Sequence, residues 1–330
     1  MKLLRRQVLL LAAGAATLSV ASRTAGAQTY PSRPITMVVP FAAGGPADVV
    51  GRIIAERMRA SLGQPIIIEN VTGAAGTIGT GRVARASPDG YTLSIGPGSS
   101  THVINGAIYT LPYDVLNDFE PIALLSNIPH IIVANKAVPA DDLKGLIGWL
   151  KANPDSASQG TSGVGSVGHI VGVFFQKETG TRFYFVPYRG LAPAMQDLLA
   201  GRVDMMIDLP LNSLPHVRAG TIKAYAVTAR TRLAAAPDIP TVDQAGLPGF
   251  YSSTWYSIYA PRRTSKDIVG KLNAAVVDVL ADPAMRSRFI ELGHEIVPRE
   301  QQTPEALGDL QKAEIEKWWS ILKTANIKGE

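Results

Sequence analysis

Two stretches of small residues have the composition of anion-binding turns. The first, Pro40–Asp48, follows the apolar run at residues 35–39 and precedes a helical pattern of apolar residues. Gly45 can act as the N-cap, and Pro46 suits the first helical position. Because the turn has almost no side chains, an anion could approach its backbone N–H groups at the positive end of the helix dipole. This chemistry suits a carboxylate or a phosphate. The alternative is that the glycines only join a strand to a helix.

The second stretch, Thr161–His169, repeats this arrangement later in the chain. A short strand at residues 158–161 precedes hydroxyl and glycine residues and then a helix with apolar residues at spacings of three and four. Its hydroxyl and backbone hydrogens could bind another end of a ligand; the candidate donors are Thr161, Ser162, Gly163 and Gly165. As ordinary turn formers, these residues could also be purely structural. His169, about one helical turn further on, could reach the turn or pack against the sheet.

Other site chemistries have less support in the sequence. Gly163, Gly165 and Gly168 match G-x-G-x-x-G, but the acidic residue expected about twenty positions later is absent. The histidines show no metal-ligand spacing, and no G-x-S-x-G elbow occurs. We therefore expect no metal ion and no cofactor. An exported hydrolase that uses Ser99 or Ser162 with His102 or His169 is the alternative, although no orienting acid is evident.

The composition is that of a globular protein. The 330 residues are 46% hydrophobic and 18% charged, which allows two domains with substantial cores. The chain has no cysteine, which excludes disulfides and cysteine-based metal sites. The net charge of +5 includes four basic residues before residue 28; without them, 28 basic and 27 acidic residues remain. The charge therefore gives no support to a nucleic-acid-binding surface.

The first 27 residues have the pattern of an export signal. Lys2, Arg5 and Arg6 precede an apolar run at residues 8–20, and small residues allow cleavage near Ala27 and Gln28. The apolar run is short for a membrane span, although an uncleaved anchor is the alternative. The paired arginines permit twin-arginine export, but the general secretory route is favoured. We expect a mature chain in the periplasm.

Alternating strands and helices predict parallel α/β sheets. Two further strand-to-helix turns, Gly73–Thr77 and Gly96–Thr101, are rich in small residues, and such turns gather at the carboxyl edge of a parallel sheet. We predict strands at residues 119–125 and 128–134, divided by Ser126 and Asn127. A proline-rich linker is expected at residues 237–248.

Several ordered motifs resemble one known family. The motifs are YPSRPI at residues 30–35, FAAGGPAD at 41–48, PDGYTL at 88–93, VPYRG at 186–190, DLLAGRVD at 197–204 and AVT at 226–228. Together they resemble the Bug family, also called TctC-type receptors of tripartite tricarboxylate transport. The resemblance runs from about residue 30 almost to the C-terminus.

The resemblance implies a periplasmic-binding-protein type II-like fold with two α/β domains, a two-crossover hinge and a ligand cleft between the domains. It places domain one at residues 28–128 plus 252–330 and domain two at residues 129–251. In this family, one turn from each domain holds a carboxylate through amides, hydroxyls and water. Carried onto this chain, the binding residues are Phe41, Ala42, Gly44, Gly45, Ala47, Asp48, Gly98, Ser99, Ser100, Thr161, Ser162, Gly163, Val164, Gly165, His169, Tyr188 and Asp208.

One position departs from the family pattern. Leu209 follows Asp208 where a polar residue, often asparagine, is expected, and this change favours a less polar ligand tail. A direct contact between Asp48 and a carboxylate would be repulsive, so a structural or water-mediated role is expected there. The resemblance implies a non-catalytic, monomeric receptor that captures a small organic acid for a membrane permease or a sensor. The charge balance predicts no nucleic-acid partner, and the sequence does not identify the organic acid.

Overall fold

The chain forms two mixed sheets flanked by helices. A computed structural model describes residues 29–154 and 156–324; the expected export signal, residues 1–27, lies outside the described residues. In chain order the strands are β1 (Ile35–Val39), β2 (Ile66–Asn70), β3 (Thr92–Pro97), β4 (Phe119–Pro129), β5 (Ile131–Asn135), β6 (Ser158–Thr161), β7 (Tyr184–Pro187), β8 (Met205–Asp208), β9 (Ile222–Val227), β10 (Ser253–Pro261) and β11 (Glu295–Ile296).

The helices follow most strands directly. In chain order they are α1 (Pro46–Leu62), α2 (Thr77–Ala84), α3 (Asn105–Ile108), α4 (Leu143–Ala152), α5 (Val167–Thr179), α6 (Leu191–Leu199), α7 (Pro210–Arg218), α8 (Lys266–Ala281), α9 (Pro283–Glu291) and α10 (Pro304–Thr324). A π-helical turn, Ser100–Ile104, precedes α3. No helix within residues 29–154 and 156–324 is both long and apolar enough to cross a membrane.

Each sheet combines parallel and antiparallel pairs. The six-stranded sheet has the order β11, β4, β10, β3, β1, β2, in which β1 runs parallel to β2 and β3 while β10 is antiparallel to β3 and β4. The five-stranded sheet has the order β7, β6, β8, β5, β9, with β6 parallel to its neighbours and β5 antiparallel to its own. The prediction of parallel pairing is therefore right for β1–β3 and β6–β8 and wrong for the strands where the chain changes sheets. Those strands need no helical crossover, which is what parallel neighbours require.

The predicted break at Ser126 and Asn127 is wrong. β4 continues through both residues, which pair with Tyr256 and Trp255 of β10. The buried Ser126 hydroxyl lies 2.8 Å from Nδ1 of His294, so the strand interior accommodates this polar side chain. The chain instead leaves the first sheet after Pro129 and enters the second at Ile131.

The strand before the first turn is part of the core. Met37, Val38 and Val39 of β1 are fully buried, which confirms the predicted buried strand before the turn.

The last helix, α10, packs Leu307 against the core of the first sheet and Leu322 against the core of the second. The chain crosses between sheets at residue 130 and again between residues 227 and 253, but the exact domain boundaries stay a prediction.

Candidate ligand-binding site

The turn after β1 has the predicted cap. Gly45 is the N-cap of α1 with extended backbone angles, and Pro46 occupies the first turn of the helix, where its missing N–H costs nothing. Gly44 has φ +78°, a left-handed conformation that a side chain would strain. The first-turn N–H groups of α1 have no acceptor within the helix and remain available to a ligand.

The carboxylate of Asp48 holds this turn from behind. Its Oδ2 accepts from the Gly44 N–H at 2.9 Å and from Nε of Arg52 at 3.0 Å, while Oδ1 accepts from Nδ2 of Asn70 at 3.0 Å. Burial alone raises the pKa of Asp48, but the hydrogen bonds from Arg52, Gly44 and Asn70 outweigh it and keep the pKa below its usual value. The same Asn70 amide donates to the Phe41 carbonyl at 3.0 Å. The geometry therefore matches the structural role expected for Asp48.

The turn after β6 is fixed by its own side chains. Ser166 is the N-cap of α5, and its hydroxyl accepts from the His169 N–H. Nδ1 of His169 accepts from the Gly165 N–H at 3.0 Å, so the neutral ring carries its proton on Nε2. The ring is buried against the edge of Phe185, and this burial lowers the pKa of His169 to about 4. Gly165 thus gives its amide to His169 rather than to the cavity.

The two turns meet at one cavity between the sheets. It is lined by Phe41, Ala42, Gly45, Pro46, Ala47, Pro97, Ser100, His130, Ser162, Ser166, Val167, Gly168, Leu191, Ile207, Leu209, Thr254 and Tyr256. Hydroxyl groups and one imidazole supply its polar side chains, and apolar groups supply the rest. The buried Ser100 hydroxyl has no hydrogen-bond partner in the described part of the chain. A ligand that accepts a hydrogen bond would satisfy it.

Four helices begin at this cavity. The lining includes the N-cap or first-turn residues of α1, α5, α6 and α7. Each helix N-terminus carries about half a positive charge, so the cavity combines four fields that favour an anion. None of the lining residues is lysine, arginine, aspartate or glutamate. The positive potential therefore comes from the backbone alone.

Contacts join the turns of the two sheets beside the cavity. The Ala42 N–H donates to the Arg189 carbonyl at 3.2 Å, and the Tyr109 hydroxyl donates to the Val164 carbonyl. Gly163 packs so tightly on Ala75 that an added Cβ would lie 3.1 Å from its backbone nitrogen. The structure thus has the turns of the two sheets in contact.

The predicted residues divide into three groups by position. Six line the cavity: Phe41, Ala42, Gly45, Ala47, Ser100 and Ser162. A neighbouring cavity shares Phe41 and Ser162 with the first, and its lining adds Gly163, Val164 and Tyr188. The remaining eight line neither cavity: Gly44, Asp48, Gly98, Ser99, Thr161, Gly165, His169 and Asp208.

Gly98 and Tyr188 have clear packing partners. A Cβ at Gly98 would lie 1.9 Å from the ring of Trp255, so the glycine makes room for an indole. The Tyr188 hydroxyl donates to Oδ2 of Asp197 at 2.7 Å. Burial raises the pKa of this phenol to about 12, and the hydrogen bond to Asp197 adds to the effect.

Asp208 lies directly behind the lining. It is fully buried at the end of β8 between Ile207 and Leu209, which both line the cavity. Its Oδ2 accepts from Nδ2 of Asn212 at 2.8 Å. Burial raises the pKa of Asp208 to about 7, and the contacts with Asn212 and the backbone of Leu209 offset only part of the shift.

Several lining residues were not predicted. Ser166 lies inside the predicted turn Thr161–His169 but was not among the individual residues predicted to bind the ligand, although a serine one residue before a helix is a typical N-cap. His130, Thr254 and Tyr256 carry no local signal, since the pairing of β4 with β10 brings them to the cavity across more than a hundred residues. Within residues 29–154 and 156–324, no three histidine, aspartate or glutamate residues form a group that could hold a metal ion.

Comparisons with known proteins identify the family. The profile of the tripartite tricarboxylate transporter family receptor, TctC, matches residues 50–327. The periplasmic binding protein BugD is 39% identical, with a TM-score of 0.85 over 91% of this chain and 100% of that chain. MatC from Rhodopseudomonas palustris with bound malate is 40% identical, with a TM-score of 0.85 over 89% and 100% of the two chains.

A third solved structure extends the comparison. The R. palustris protein Rpa4515 with adipate is 35% identical, with a TM-score of 0.85 over 91% of this chain and 99% of that one. The family profile covers most of the present chain, and each of these structures matches over nearly its whole length. The chain therefore belongs to the TctC, or Bug, family of periplasmic solute-binding receptors.

Proposed function

We propose that this receptor captures a small carboxylate-containing compound outside the cytoplasm, for uptake or sensing. One observation carries the proposal: four helix N-termini from both sheets begin at a single uncharged cavity. Such a cavity favours an anion without a cationic side chain. The similar MatC and Rpa4515 structures contain malate and adipate, which are both dicarboxylates.

The expected affinity follows from the available donors. Each hydrogen bond to a charged group contributes on the order of 1.5 to 3 kcal/mol, so a few amide and hydroxyl donors suffice for roughly micromolar binding after the cost of association. Exposed cations are strongly screened by salt, whereas buried backbone dipoles are screened less. We therefore expect affinity to depend only weakly on ionic strength.

Isothermal titration against a panel of carboxylates tests this function. The panel contains acetate, malate, succinate, adipate and benzoate, titrated into protein that was unfolded, dialysed and refolded to remove any copurified ligand. Ser100→Ala removes the unpartnered lining hydroxyl and should weaken binding about tenfold or more. Ser99→Ala is the matched control, because this neighbouring buried hydroxyl does not line the cavity.

The result that would contradict the proposal is clear. If folded, ligand-free protein gives no heat with any acid of the panel, the carboxylate function is wrong. Equal losses of affinity in Ser100→Ala and Ser99→Ala would instead show that the Ser100 hydroxyl is not a specific contact of the ligand.

We also propose that capture involves no turnover. The hydrolase interpretation needs a histidine beside Ser99 or Ser162, but Nδ1 of His102 contacts the Thr101 hydroxyl and Nδ1 of His169 accepts from Gly165. The His102 ring is also stacked on Tyr259, with 3.9 Å between ring centroids. Neither imidazole is arranged as a base for a serine in the described contacts. Turnover of simple esters that disappears in Ser162→Ala would refute this part of the proposal.

The N-terminal sequence pattern suggests the maturation of this receptor, and the family suggests its partner. We propose that residues 1–27 direct export by the general secretory route, and that the mature monomer begins near Gln28 and presents its ligand to a tripartite permease or a sensor. We propose lobes at residues 28–128 plus 252–330 and 129–251, a division that the change of sheet near residue 130 supports. Mass spectrometry of the exported protein measures the cleavage position, and light scattering measures the oligomeric state.

A further inference from the structure

His130 lies where the chain crosses between the two sheets. It separates Pro129, the last residue of β4, from Ile131, the first residue of β5. Thr228 follows the last residue of β9, and its N–H donates to the His130 carbonyl at 2.9 Å. The His130 N–H in turn donates to the Thr228 hydroxyl at 2.9 Å. The two crossings are therefore joined at this point.

Both nitrogens of the buried His130 ring have hydroxyl partners. Nδ1 lies 3.0 Å from the Ser252 hydroxyl, and Nε2 lies 3.0 Å from the Thr254 hydroxyl. Ser252 immediately precedes β10, and Thr254 is part of it. The imidazole therefore links the first crossing to the returning strand of the first sheet, while the backbone of His130 is bonded to Thr228 after the second sheet.

This network also borders the ligand cavity. His130 and Thr254 line the cavity, whereas Ser252 lines a separate groove. A change at Ser252 can therefore alter the restraint on the imidazole without removing an atom that lines the ligand cavity. This arrangement separates a role in closure from a role in direct contact.

We propose that His130 is a positioning residue whose imidazole bonds favour the arrangement in which the turns of the two sheets meet over the cavity. The inference rests on the proposed function, because closure matters to a receptor that retains a ligand. Loss of one hydrogen bond to the imidazole should change the ratio of closed to open protein about three- to tenfold. The Ser252 hydroxyl also donates to the Thr228 hydroxyl at 3.0 Å, so Ser252→Ala weakens the junction of the two crossings at both contacts. Since the lining is unchanged, the effect on a ligand should appear mainly as faster dissociation.

A distance measurement on ligand-free protein tests the inference without a known ligand. The natural chain has no cysteine, so nitroxide labels can be attached only at introduced cysteines. Exposed Ala60 on α1 and Glu178 on α5 suit this purpose, because α1 packs on the first sheet and α5 on the second. Pulsed electron spin resonance then gives the distribution of distances between the two labels.

Ser252→Ala is the main variant, and Ser253→Ala is its matched control. The neighbouring Ser253 side chain is exposed and is not a partner of the imidazole. We expect Ser252→Ala and His130→Asn to move the distribution towards longer distances by the stated ratio, while Ser253→Ala leaves it unchanged. With malate or adipate as the probe, stopped-flow dissociation should be about three- to tenfold faster in Ser252→Ala.

Two outcomes would overturn the inference. The first is that the wild type shows no short-distance population. The second is that Ser252→Ala and His130→Asn lower the free energy of unfolding but leave the distance distribution unchanged. The latter would assign His130 a purely structural role. Failure of every carboxylate to bind would refute the proposed ligand class, but the ligand-free distances would still decide the role of His130.

Discussion

The substitution Asp208→Asn should change how the stability of this receptor depends on pH. Asp208 is fully buried, and its Oδ1 has no partner of good hydrogen-bond geometry within the described residues. Its pKa rises from an ordinary value of 3.8 to about 7, chiefly because burial disfavours the charged form. Asparagine keeps the shape of the side chain and cannot ionise.

Proton linkage gives the direction in which stability changes with pH. Between about pH 4 and pH 7, native Asp208 retains a proton that the unfolded chain has already lost, so its contribution to stability falls as pH rises through this window. A tenfold change in the acid dissociation constant corresponds to about 1.36 kcal/mol, which sets an upper limit of roughly 4 kcal/mol for the whole loss. Above about pH 7 the loss is complete and constant.

Urea unfolding at a series of pH values measures this effect. The free energy of unfolding of Asp208→Asn, minus that of the wild type, should increase by a few kcal/mol from about pH 4 to about pH 8. Any cost of the new amide is the same at each pH and shifts the difference without changing its slope. Subtraction also removes the acid sensitivity contributed by the buried histidines.

Parallel curves for the variant and the wild type would refute the reasoning, because they would show that Asp208 titrates alike in the folded and unfolded chain. Asp267→Asn, at an exposed position in the first turn of α8, controls for the loss of one negative charge.

A carboxylate ligand adds a second readout. Its affinity for the wild type should fall above about pH 7, where ionised Asp208 repels an anion, and the fall should be absent in Asp208→Asn.

Three further substitutions test the site. Gly163→Ala should weaken binding about tenfold in titrations, because the added Cβ would meet the facing turn at Ala75. Gly180→Ala is the control, since Gly180 also has a positive φ but has open space around it, and its affinity should be unchanged. Ser166→Ala should lower the free energy of unfolding by about 1 kcal/mol through loss of the N-cap, and should also weaken binding. Gly98→Ala should lower that free energy by about 1 to 3 kcal/mol or more, because its Cβ would overlap Trp255.

These expectations fail in different ways. Equal affinities in Gly163→Ala and Gly180→Ala would show that contact between the turns does not govern binding. If Ser166→Ala unfolded like the wild type with heat and with urea, the Ser166 cap would make no contribution to stability. Weak binding with normal stability in Gly98→Ala would restore the ligand role that was predicted for this glycine.

Local chemistry made the start of the first helix predictable. Gly45 and Pro46 are recognisable as a helix start because capping depends on neighbours within a few residues, and the structure confirms both. Gly98 shows the limit of this reasoning. A glycine that admits a ligand and one that admits the ring of Trp255 have the same local sequence, and only tertiary packing distinguishes them.

Long-range pairing explains what the sequence did not reveal. His130 is separated by 124 residues from Thr254, and their contact exists only because β4 and β10 are neighbours in one sheet. The predicted break at Ser126 failed for the same reason, since its hydroxyl is satisfied by His294 from a distant part of the chain. Residues that act through such partners carry no periodic or capping signal of their own.

The uncharged lining has a consequence for how such receptors diversify. An anchor made of peptide groups belongs to the main chain, which every replacement other than proline leaves in place. Larger, smaller or more polar side chains can therefore replace Leu191, Ile207 and Leu209 while the carboxylate of the ligand stays bound to the backbone. One scaffold can in this way bind a new ligand after a few side-chain substitutions in the lining, because the peptide groups that bind the acid group stay in place.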